Sequence, residues 1–186
     1  MSDRGKLRIV TLCTGNAARS VMAGALLVRL AAEVRLDVRT AGTHVVEGQP
    51  MSRRTRDALA AAGARADGHR SHQVTDEDLV GADLVVALAG EHVAYVRRVH
   101  PGAADRTGTL KRLCRDLPPA PGPLAQRVGA LRLDAVELEP WEDVPDPAGG
   151  EDADYLACVL ELERLTAELA RRLGLGAGPA SAAVPA

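Results

Sequence analysis

Residues 7–20 read LRIVTLCTGNAARS and place three local patterns in direct succession. Leu7–Leu12 is a short, mainly apolar run, which predicts a buried strand. A turn that contains glycine follows it at 13–16. From Ser20 to about Val34 we expect an amphipathic helix, because apolar side chains recur at helical spacing. These side chains are Met22, Leu26, Leu27, Leu30, Ala31 and Val34.

The segments that follow alternate between strand and helix signals. Leu36–Ala41 predicts a second strand. Ser52–Ala62 predicts a helix that begins after a capping serine and ends before Gly63. Asp83–Ala89 is apolar without alternation, as in a central parallel strand that is covered on both faces. This order predicts an α/β fold, a three-layer sandwich with a central, mostly parallel, four-stranded twisted sheet flanked by helices.

The second half of the chain carries weaker signals until its last helix. Thr75 followed by Asp78 indicates another helix start. Prolines break regular structure after Leu117 and indicate an exposed loop, at Pro118, Pro119, Pro121 and Pro123. A short helix is predicted at 124–133 and a strong one at 153–173, whose inner side is expected to carry Leu156, Leu160, Leu165 and Leu169. We expect one domain over 1–173 and a disordered tail over 174–186.

Composition excludes some function classes. Acids outnumber Lys and Arg by only 25 to 23, so no global field favours nucleic acid or an anionic membrane. The apolar run near the N-terminus is too short for a signal peptide or a membrane span, which predicts a cytoplasmic protein. The three cysteines match no zinc pattern and cannot all pair, so reduced thiols are expected.

Cys13 and Arg19 are separated by five residues at the strand-to-helix junction. Such a loop can turn successive backbone N–H groups inward, and the helix N-terminus adds partial positive charge, so a phosphate dianion could bind there. The guanidinium of Arg19 would hold two phosphate oxygens, and the positive field would favour a thiolate at Cys13. The residues predicted to contact phosphate are Thr14, Gly15, Asn16, Ala17, Ala18, Arg19 and Ser20.

The same spacing occurs a second time, between Cys158 and Arg164. That copy lies inside the predicted last helix, lacks glycine and carries Glu161 and Glu163, whose charges would repel phosphate. We interpret Cys158 as an ordinary core thiol. The spacing alone is a weak signal, and the alternative for the first copy is a strand-to-helix turn that binds no ligand.

The sequence around Cys13 and Arg19 resembles the signature of the low-molecular-weight protein tyrosine phosphatases. The resemblance rests first on IVTLCTGNAARS at 9–20. It continues in TAGT at 40–43, in HRSHQVTDED at 69–78 and in VPDP at 144–147, which is similar to the family's acid loop. These segments follow the family's order and span roughly residues 6–165.

The resemblance implies an activity and three catalytic residues. Cys13 would be the nucleophile, Arg19 would hold the phosphate, and Asp146 between two prolines would be the general acid. The implied reaction is hydrolysis of phosphate monoesters, most of all phosphotyrosine in proteins, through a phosphocysteine intermediate. No metal or other cofactor is needed in such a site, because Arg19 and the loop amides stabilise the charge. The alternative for Asp146 is an Asp-Pro surface turn.

Four further residues would support the loop. Asn16 is expected to keep the loop in its strained shape, and Ser20 to hydrogen-bond the sulfur of Cys13. Thr40 and His69 match positions that brace Asn16 and Ser20, although His69 could equally be a structural histidine. The remaining histidines are expected to be solvated, namely His44, His72, His92 and His100.

The sequence departs from the family pattern at several positions. Val21 and Gly24 replace the usual Pro and Glu, which we expect to alter only the helix start. Ala17 and Ala18 leave the loop without the second cysteine that can protect the nucleophile by a disulfide.

Two other departures concern the substrate. Ala148 stands where phosphotyrosine-specific members commonly carry Tyr, and Ala89 where they tend to carry Asp. A phenyl ring would gain less stacking energy at such a site, so the substrate could differ from phosphotyrosine. Trp141 could supply another wall, or could belong to ordinary loop packing.

The expected partners are a phosphorylated protein or a small aryl phosphate, with inorganic phosphate and vanadate as competitors. Neither nucleic acid nor a membrane is expected to bind. Two alternatives stay open: a non-catalytic, regulatory phosphate-binding member of the fold, and an arsenate reductase. The reductase is disfavoured, since its relay needs thiols near the end of the 83–89 strand, where this chain has Ala87 and Ala89.

Overall fold

The computed structural model describes residues 6–31 and 36–175. Its strands are β1 (Leu7–Cys13), β2 (Leu36–Gly42), β3 (Leu84–Ala87) and β4 (Thr107–Thr109). Its helices are α1 (Arg19–Leu30), α2 (Arg53–Ala61), α3 (Asp76–Leu79), α4 (Gly90–Val99), α5 (Leu110–Asp116), α6 (Leu124–Gly129) and α7 (Asp152–Leu173), with 3-10 turns at Pro101–Arg106 and Pro140–Glu142. The predicted end of the first helix at Val34 lies outside the described residues, and so does the predicted tail over 174–186 except for Gly174 and Leu175.

The strands form one parallel sheet in the order β2-β1-β3-β4, flanked by helices. The predicted α/β fold is therefore confirmed. The chain moves outward from β1 to β2 on one side and from β3 to β4 on the other. The direction of winding reverses between β1 and β3, where open parallel sheets bind ligands beyond the carboxyl ends of their strands. β1 ends there, at Cys13.

Aliphatic side chains fill both faces of the sheet. On one face, the inner sides of α1, α5 and α7 pack against Ile9 and Cys13 of β1. On the other face, a smaller cluster joins the sheet to α3 and α4 and consists of Val10, Leu12, Ala41, Val74, Leu79, Ala82, Val85, Val96 and Ala103. The two clusters give the three layers that alternating strands and helices predict.

The inner face of α7 differs from the predicted one. Leu156 and Leu160 are 43% and 53% exposed, so their assignment to the core was wrong, whereas Leu165 and Leu169 are buried. The buried stripe begins one residue earlier, at Tyr155, and continues at helical spacing through Cys158, Val159, Leu162, Leu165, Thr166 and Leu169. Among the described residues, no helix combines the length and the apolar content needed to cross a membrane.

The fourth strand was expected without a location, and the structure places it at Thr107–Thr109. Its two threonines are buried but polar, and they hydrogen-bond to Ala103 O and to the carboxylate of Glu142. A strand of three residues with this composition carries no apolar run. Sequence patterns therefore missed it.

Candidate active site

The loop after β1 turns its carbonyl groups outward, toward neighbouring elements. Backbone N–H groups after β2, a side chain of α2 and a histidine donate to them. The bonds, given as acceptor and donor, are Cys13 O with Thr43 N (2.9 Å), Thr14 O with His44 N (3.0 Å), Asn16 O with His69 Nε2 (2.8 Å) and Ala17 O with Thr55 Oγ1 (3.0 Å). The loop is thereby held from outside at four peptide units.

The N–H groups of these peptide units point the other way, into the loop. In a trans peptide, C=O and N–H lie on opposite sides of the unit. The N–H groups concerned belong to Thr14, Gly15, Ala17 and Ala18, and in the described part of the chain none of them donates to a protein acceptor. A concave set of free donors next to a helix N-terminus is a site for an oxyanion.

Asn16 is the residue at which this loop bends most sharply. It has a φ of 49°, in the left-handed region that asparagine tolerates better than most residues, and its side chain is fully buried. Its Nδ2 donates to Ser20 Oγ (2.9 Å) and to Thr40 Oγ1 (3.0 Å), and its Oδ1 accepts from the N–H of His72 (2.9 Å). Every polar group of this side chain therefore has a partner, which stabilises the bend.

Ser20 connects Asn16 to Cys13, the residue expected to be the nucleophile. Its Oγ lies 3.0 Å from the sulfur of Cys13, which is itself buried. Since Asn16 already donates to Ser20 Oγ, the hydroxyl hydrogen is free to point at the sulfur. The hydroxyl group can therefore donate a hydrogen bond to the sulfur.

His69 supports the loop as a neutral donor. Burial lowers its pKa, and this effect outweighs the hydrogen bond to Asn16 O. Because a carbonyl only accepts, Nε2 carries the hydrogen in this bond. Thr40 and His69 both contact Asn16, and neither makes a direct hydrogen bond to Ser20.

Arg19 and Asp146 meet at the open side of the loop. Arg19 is 5% exposed, and its NH2 group lies 2.5 Å from Asp146 Oδ2, although 127 residues separate the two in sequence. The same guanidinium donates to Val144 O (3.2 Å) and to Thr14 Oγ1 (3.3 Å). The acid loop therefore lies directly over the predicted phosphate site, and the carboxylate of Asp146 is 43% exposed.

The segment that carries Asp146 is fixed at its base. Val144 N donates to Leu88 O (2.9 Å), and Gly90 N donates to Asp143 Oδ1 (2.7 Å). Deeper in the protein, the fully buried Glu142 accepts from Arg112 at 2.5 and 2.9 Å. Burial opposes the charged form of Glu142, but hydrogen bonds from Arg112, Thr109 and Glu139 N outweigh it and lower the pKa.

Known proteins match this chain over the loop and beyond it. The family model described as low molecular weight phosphotyrosine protein phosphatase matches residues 8–119. A protein-arginine-phosphatase of Geobacillus stearothermophilus is 31% identical over 89% of this chain and 95% of that protein. The chain belongs to the low molecular weight phosphotyrosine protein phosphatase family.

Solved structures similar to this chain include proteins named arginine phosphatases and proteins named tyrosine phosphatases. An arginine phosphatase from G. stearothermophilus superposes with a TM-score of 0.72 and 32% identity, over 90% of this chain and 93% of that one. A low molecular weight protein tyrosine phosphatase from T. tengcongensis gives a TM-score of 0.70 and 30% identity, over 88% and 97%. Family membership thus leaves the substrate of this phosphatase undecided between the two.

Two glycines allow the backbone to approach the phosphatase loop. A Cβ on Gly42 would lie 2.5 Å from Thr14 O and 2.9 Å from Asn16 N, both of them backbone atoms. A Cβ on Gly24 would lie 2.7 Å from the methyl group of Thr40. The expectation that Gly24 alters only the helix start was therefore wrong, because Gly24 lets α1 pack against the threonine that holds Asn16.

Sequence reasoning missed a second group of residues at the loop. Thr14 Oγ1 lies 3.0 Å from His92 Nε2 and 3.1 Å from Glu91 Oε1, both at the start of α4. His92 is 1% exposed, so the expectation that it is solvated was wrong, as it was for the buried His100. Burial, and next Arg19 and His44, lower the pKa of His92 to about 3. No local motif marks α4, so no sequence signal could have found this contact.

Trp141 and the other cysteines lie in structural surroundings. The Trp141 ring lies under the guanidinium groups of Arg115 (4.0 Å) and Arg112 (5.5 Å), which is packing against α5. Cys114 and Cys158 are buried, and burial raises the pKa of each thiol to about 12. This agrees with Cys158 as a core thiol, and it leaves Cys13 as the thiol at the loop.

Proposed function

We propose that this chain removes phosphate from phosphorylated protein side chains through a phosphocysteine intermediate on Cys13. The observation that carries the proposal is the meeting of Cys13, Arg19 and Asp146 around a loop with free inward N–H groups. A turn that binds no ligand has no need of a buried arginine at its centre. A module that only binds phosphate has no need of an acid above it.

In the first step the sulfur of Cys13 attacks phosphorus, and the bond from phosphorus to the leaving group breaks. Arg19 and the loop N–H groups bind the phosphate oxygens, where charge develops in the transition state. As the dianion takes over the guanidinium, Asp146 is released from its ion pair, binds a proton from solvent and donates it to the leaving atom. The hydroxyl of Ser20 stabilises the thiolate before attack.

In the second step Asp146 accepts a proton from water, and the oxygen of that water attacks phosphorus. The bond between phosphorus and sulfur breaks, inorganic phosphate leaves, and the thiolate of Cys13 returns, again with Ser20 as donor. One carboxyl group therefore serves as acid and then as base. We propose no metal or other cofactor for either step.

We favour N-phosphoarginine in proteins over phosphotyrosine as the substrate. The relative that matches most of this chain's length at 31% identity is named a protein-arginine-phosphatase. The site also offers Ala148 and Ala89 where a phenyl ring would need aromatic or polar walls. Phosphotyrosine remains the second candidate, because a relative of equal fold similarity is named a tyrosine phosphatase. We propose that the protein acts in the cytoplasm.

The test compares wild type, Asp146→Asn and Cys13→Ser on three substrates in the presence of a chelator. The substrates are an arginine-phosphorylated peptide, a tyrosine-phosphorylated peptide and p-nitrophenyl phosphate. We expect Cys13→Ser to abolish turnover of all three and Asp146→Asn to lower turnover of phosphoarginine by about 10²- to 10⁴-fold. Full activity of Cys13→Ser would overturn the proposal.

Competition separates the alternatives. Vanadate and inorganic phosphate should inhibit wild type, since both fit the loop. Phosphate binding without any turnover by wild type would support a regulatory module instead of an enzyme. Reduction of arsenate at the expense of a thiol reductant would support the arsenate reductase alternative.

A further inference from the structure

Glu91 lies at the rim of the candidate active site, two hydrogen bonds from Arg19. Arg19 NH2 donates to Thr14 Oγ1 (3.3 Å), and Thr14 Oγ1 donates to Glu91 Oε1 (3.1 Å). The side chain of Glu91 is 66% exposed, so its second oxygen is accessible to a ligand. The carboxylate therefore lies one side chain away from the guanidinium proposed to hold the phosphate.

The charge of Glu91 has no cationic partner among the described residues. Its carboxylate lies 3.3 Å from His92 Nε2. In the described part of the chain, no Lys or Arg nitrogen lies within ion-pair distance of it. His92 is a neutral imidazole, since its pKa is lowered to about 3. Nε2 then carries the hydrogen and donates, while Nδ1 is buried without a partner.

An unpaired carboxylate beside a phosphate site has opposite effects on different substrates. It repels the phosphate dianion, which lowers the affinity for any substrate whose leaving group is neutral. A guanidinium attached to the phosphate reverses this effect, because its planar fork pairs with a carboxylate through two parallel hydrogen bonds. The position of Glu91 is therefore unfavourable for an aryl phosphate and favourable for phosphoarginine.

We propose that Glu91 is a specificity residue that binds the guanidinium side of N-phosphoarginine. Thr14 orients its carboxylate, and His92 holds Thr14 from the buried side. Ala148, two residues after Asp146, is exposed and adds no bulky wall that would exclude the side chain of an arginine. The inference rests on the proposed function, and it adds the residue that selects the substrate.

The matched variants are Glu91→Gln and Glu77→Gln. Glutamine keeps an oxygen that accepts from Thr14, so Glu91→Gln removes the charge and leaves the hydrogen bond in place. Glu77 is exposed on α3, and its variant makes the same change of net charge away from the loop. For each variant, kcat/KM is measured on an arginine-phosphorylated peptide and on p-nitrophenyl phosphate.

We expect Glu91→Gln to lower kcat/KM for the phosphoarginine peptide and to raise it for p-nitrophenyl phosphate. The ratio of kcat/KM for the phosphoarginine peptide to kcat/KM for p-nitrophenyl phosphate should fall at least about tenfold. This is the effect expected from the loss of one charge-assisted hydrogen bond. Glu77→Gln should leave the ratio unchanged. High salt should reduce the difference between wild type and Glu91→Gln, because it screens the exposed carboxylate.

The possible failures are distinguishable. If wild type hydrolyses phosphoarginine and Glu91→Gln keeps the wild-type ratio, the role of Glu91 is overturned and the proposed function stands. If wild type hydrolyses p-nitrophenyl phosphate but not phosphoarginine, both the proposed substrate and the role of Glu91 are overturned. An equal fall in the ratio for Glu77→Gln would show a global charge effect and would also overturn the role of Glu91.

Discussion

Asn16 connects the shape of the loop to the chemistry of Cys13. Its positive φ places the backbone in a conformation that costs an ordinary residue roughly 1–2 kcal/mol. Its side chain holds Ser20, which in turn contacts the sulfur of Cys13. One buried amide therefore stabilises the bend of the loop and orients the hydroxyl beside the sulfur.

Replacing Asn16 by Ala and by Gly separates these two roles. We expect both variants to lose phosphate affinity and turnover, because Ser20 and Thr40 lose their donor. Asn16→Ala should be less stable than Asn16→Gly by about 1 kcal/mol, since glycine adopts positive φ without strain. Urea unfolding of both variants measures this difference. Equal stability of the two would contradict strain at this residue.

At the residue scale, local sequence indicated part of the site. Cys13, Arg19 and Ser20 lie within one loop and one helix start, so their proximity follows from chain connectivity. Asp146 was placed by resemblance alone, because no local rule brings it across 127 residues to Arg19. His92 shows the limit of such reasoning, since its burial depends on how α4 packs.

At the scale of elements, a buried ion pair supports the acid loop. Glu142 ends a 3-10 turn and binds Arg112 of α5 and Thr109 of β4. Four residues later the chain reaches Asp146. The short strand and the helix after it therefore form the base on which the proposed general acid, Asp146, is placed.

Glu142→Gln should destabilise the protein by about 2 kcal/mol, because Arg112 loses its short charged hydrogen bonds and keeps only longer contacts to Glu139 (3.5 Å) and Asp116 (3.6 Å). Turnover should fall as well, since the segment that carries Asp146 loses its anchor. The matched control is Glu137→Gln, an exposed residue of the same segment whose carboxylate makes no described hydrogen bond to Arg112. Thermal or urea unfolding checks both, and a loss below about 1 kcal/mol for Glu142→Gln would contradict the anchor.

Elements with an apolar run, a cap or helical periodicity were predicted from the sequence, whereas β4 and the helices α4 and α5 were not located. The signals for β1, α1, α2 and α7 lie in their own residues, as apolar runs, caps or helical periodicity. β4 is short and polar, and it is buried because α4, α5 and Glu142 pack against it. The inner face of α7 was misjudged by one residue, since several leucines surround this helix and only packing decides which are buried.

At the scale of the whole molecule, histidines set the response of stability to acid. Burial lowers the pKa of His92 to about 3 and also lowers the pKa of His69. Below about pH 6.5 the unfolded chain therefore binds protons that the folded chain does not bind, and stability falls as the pH drops further. His72 acts in the opposite sense: burial opposes its charge, but hydrogen bonds to Glu47 and Asp78 outweigh it and raise the pKa.

His92→Gln isolates the largest of these effects. Between pH 7 and pH 5, wild type should lose about 2 kcal/mol more stability than the variant, because an imidazole with a pKa of about 3 stays neutral while the unfolded one is protonated. His69 and His72 titrate in both proteins and cancel in the comparison. Urea unfolding at the two pH values provides the numbers. An equal loss of unfolding free energy in wild type and variant between the two pH values would show that His92 is not held neutral.

The most direct test of the whole account is to trap the phosphoryl group on the enzyme. Asp146→Asn should react with p-nitrophenyl phosphate, whose leaving group needs no acid, and then hydrolyse the intermediate slowly for lack of a base. Mass spectrometry of the denatured, digested protein should find one phosphoryl group on the peptide that contains Cys13, and none in Cys13→Ala, which has no nucleophilic atom at this position. A phosphoryl group on another residue, or steady turnover with no phosphorylated peptide at any time, would contradict a thiolate nucleophile in this loop.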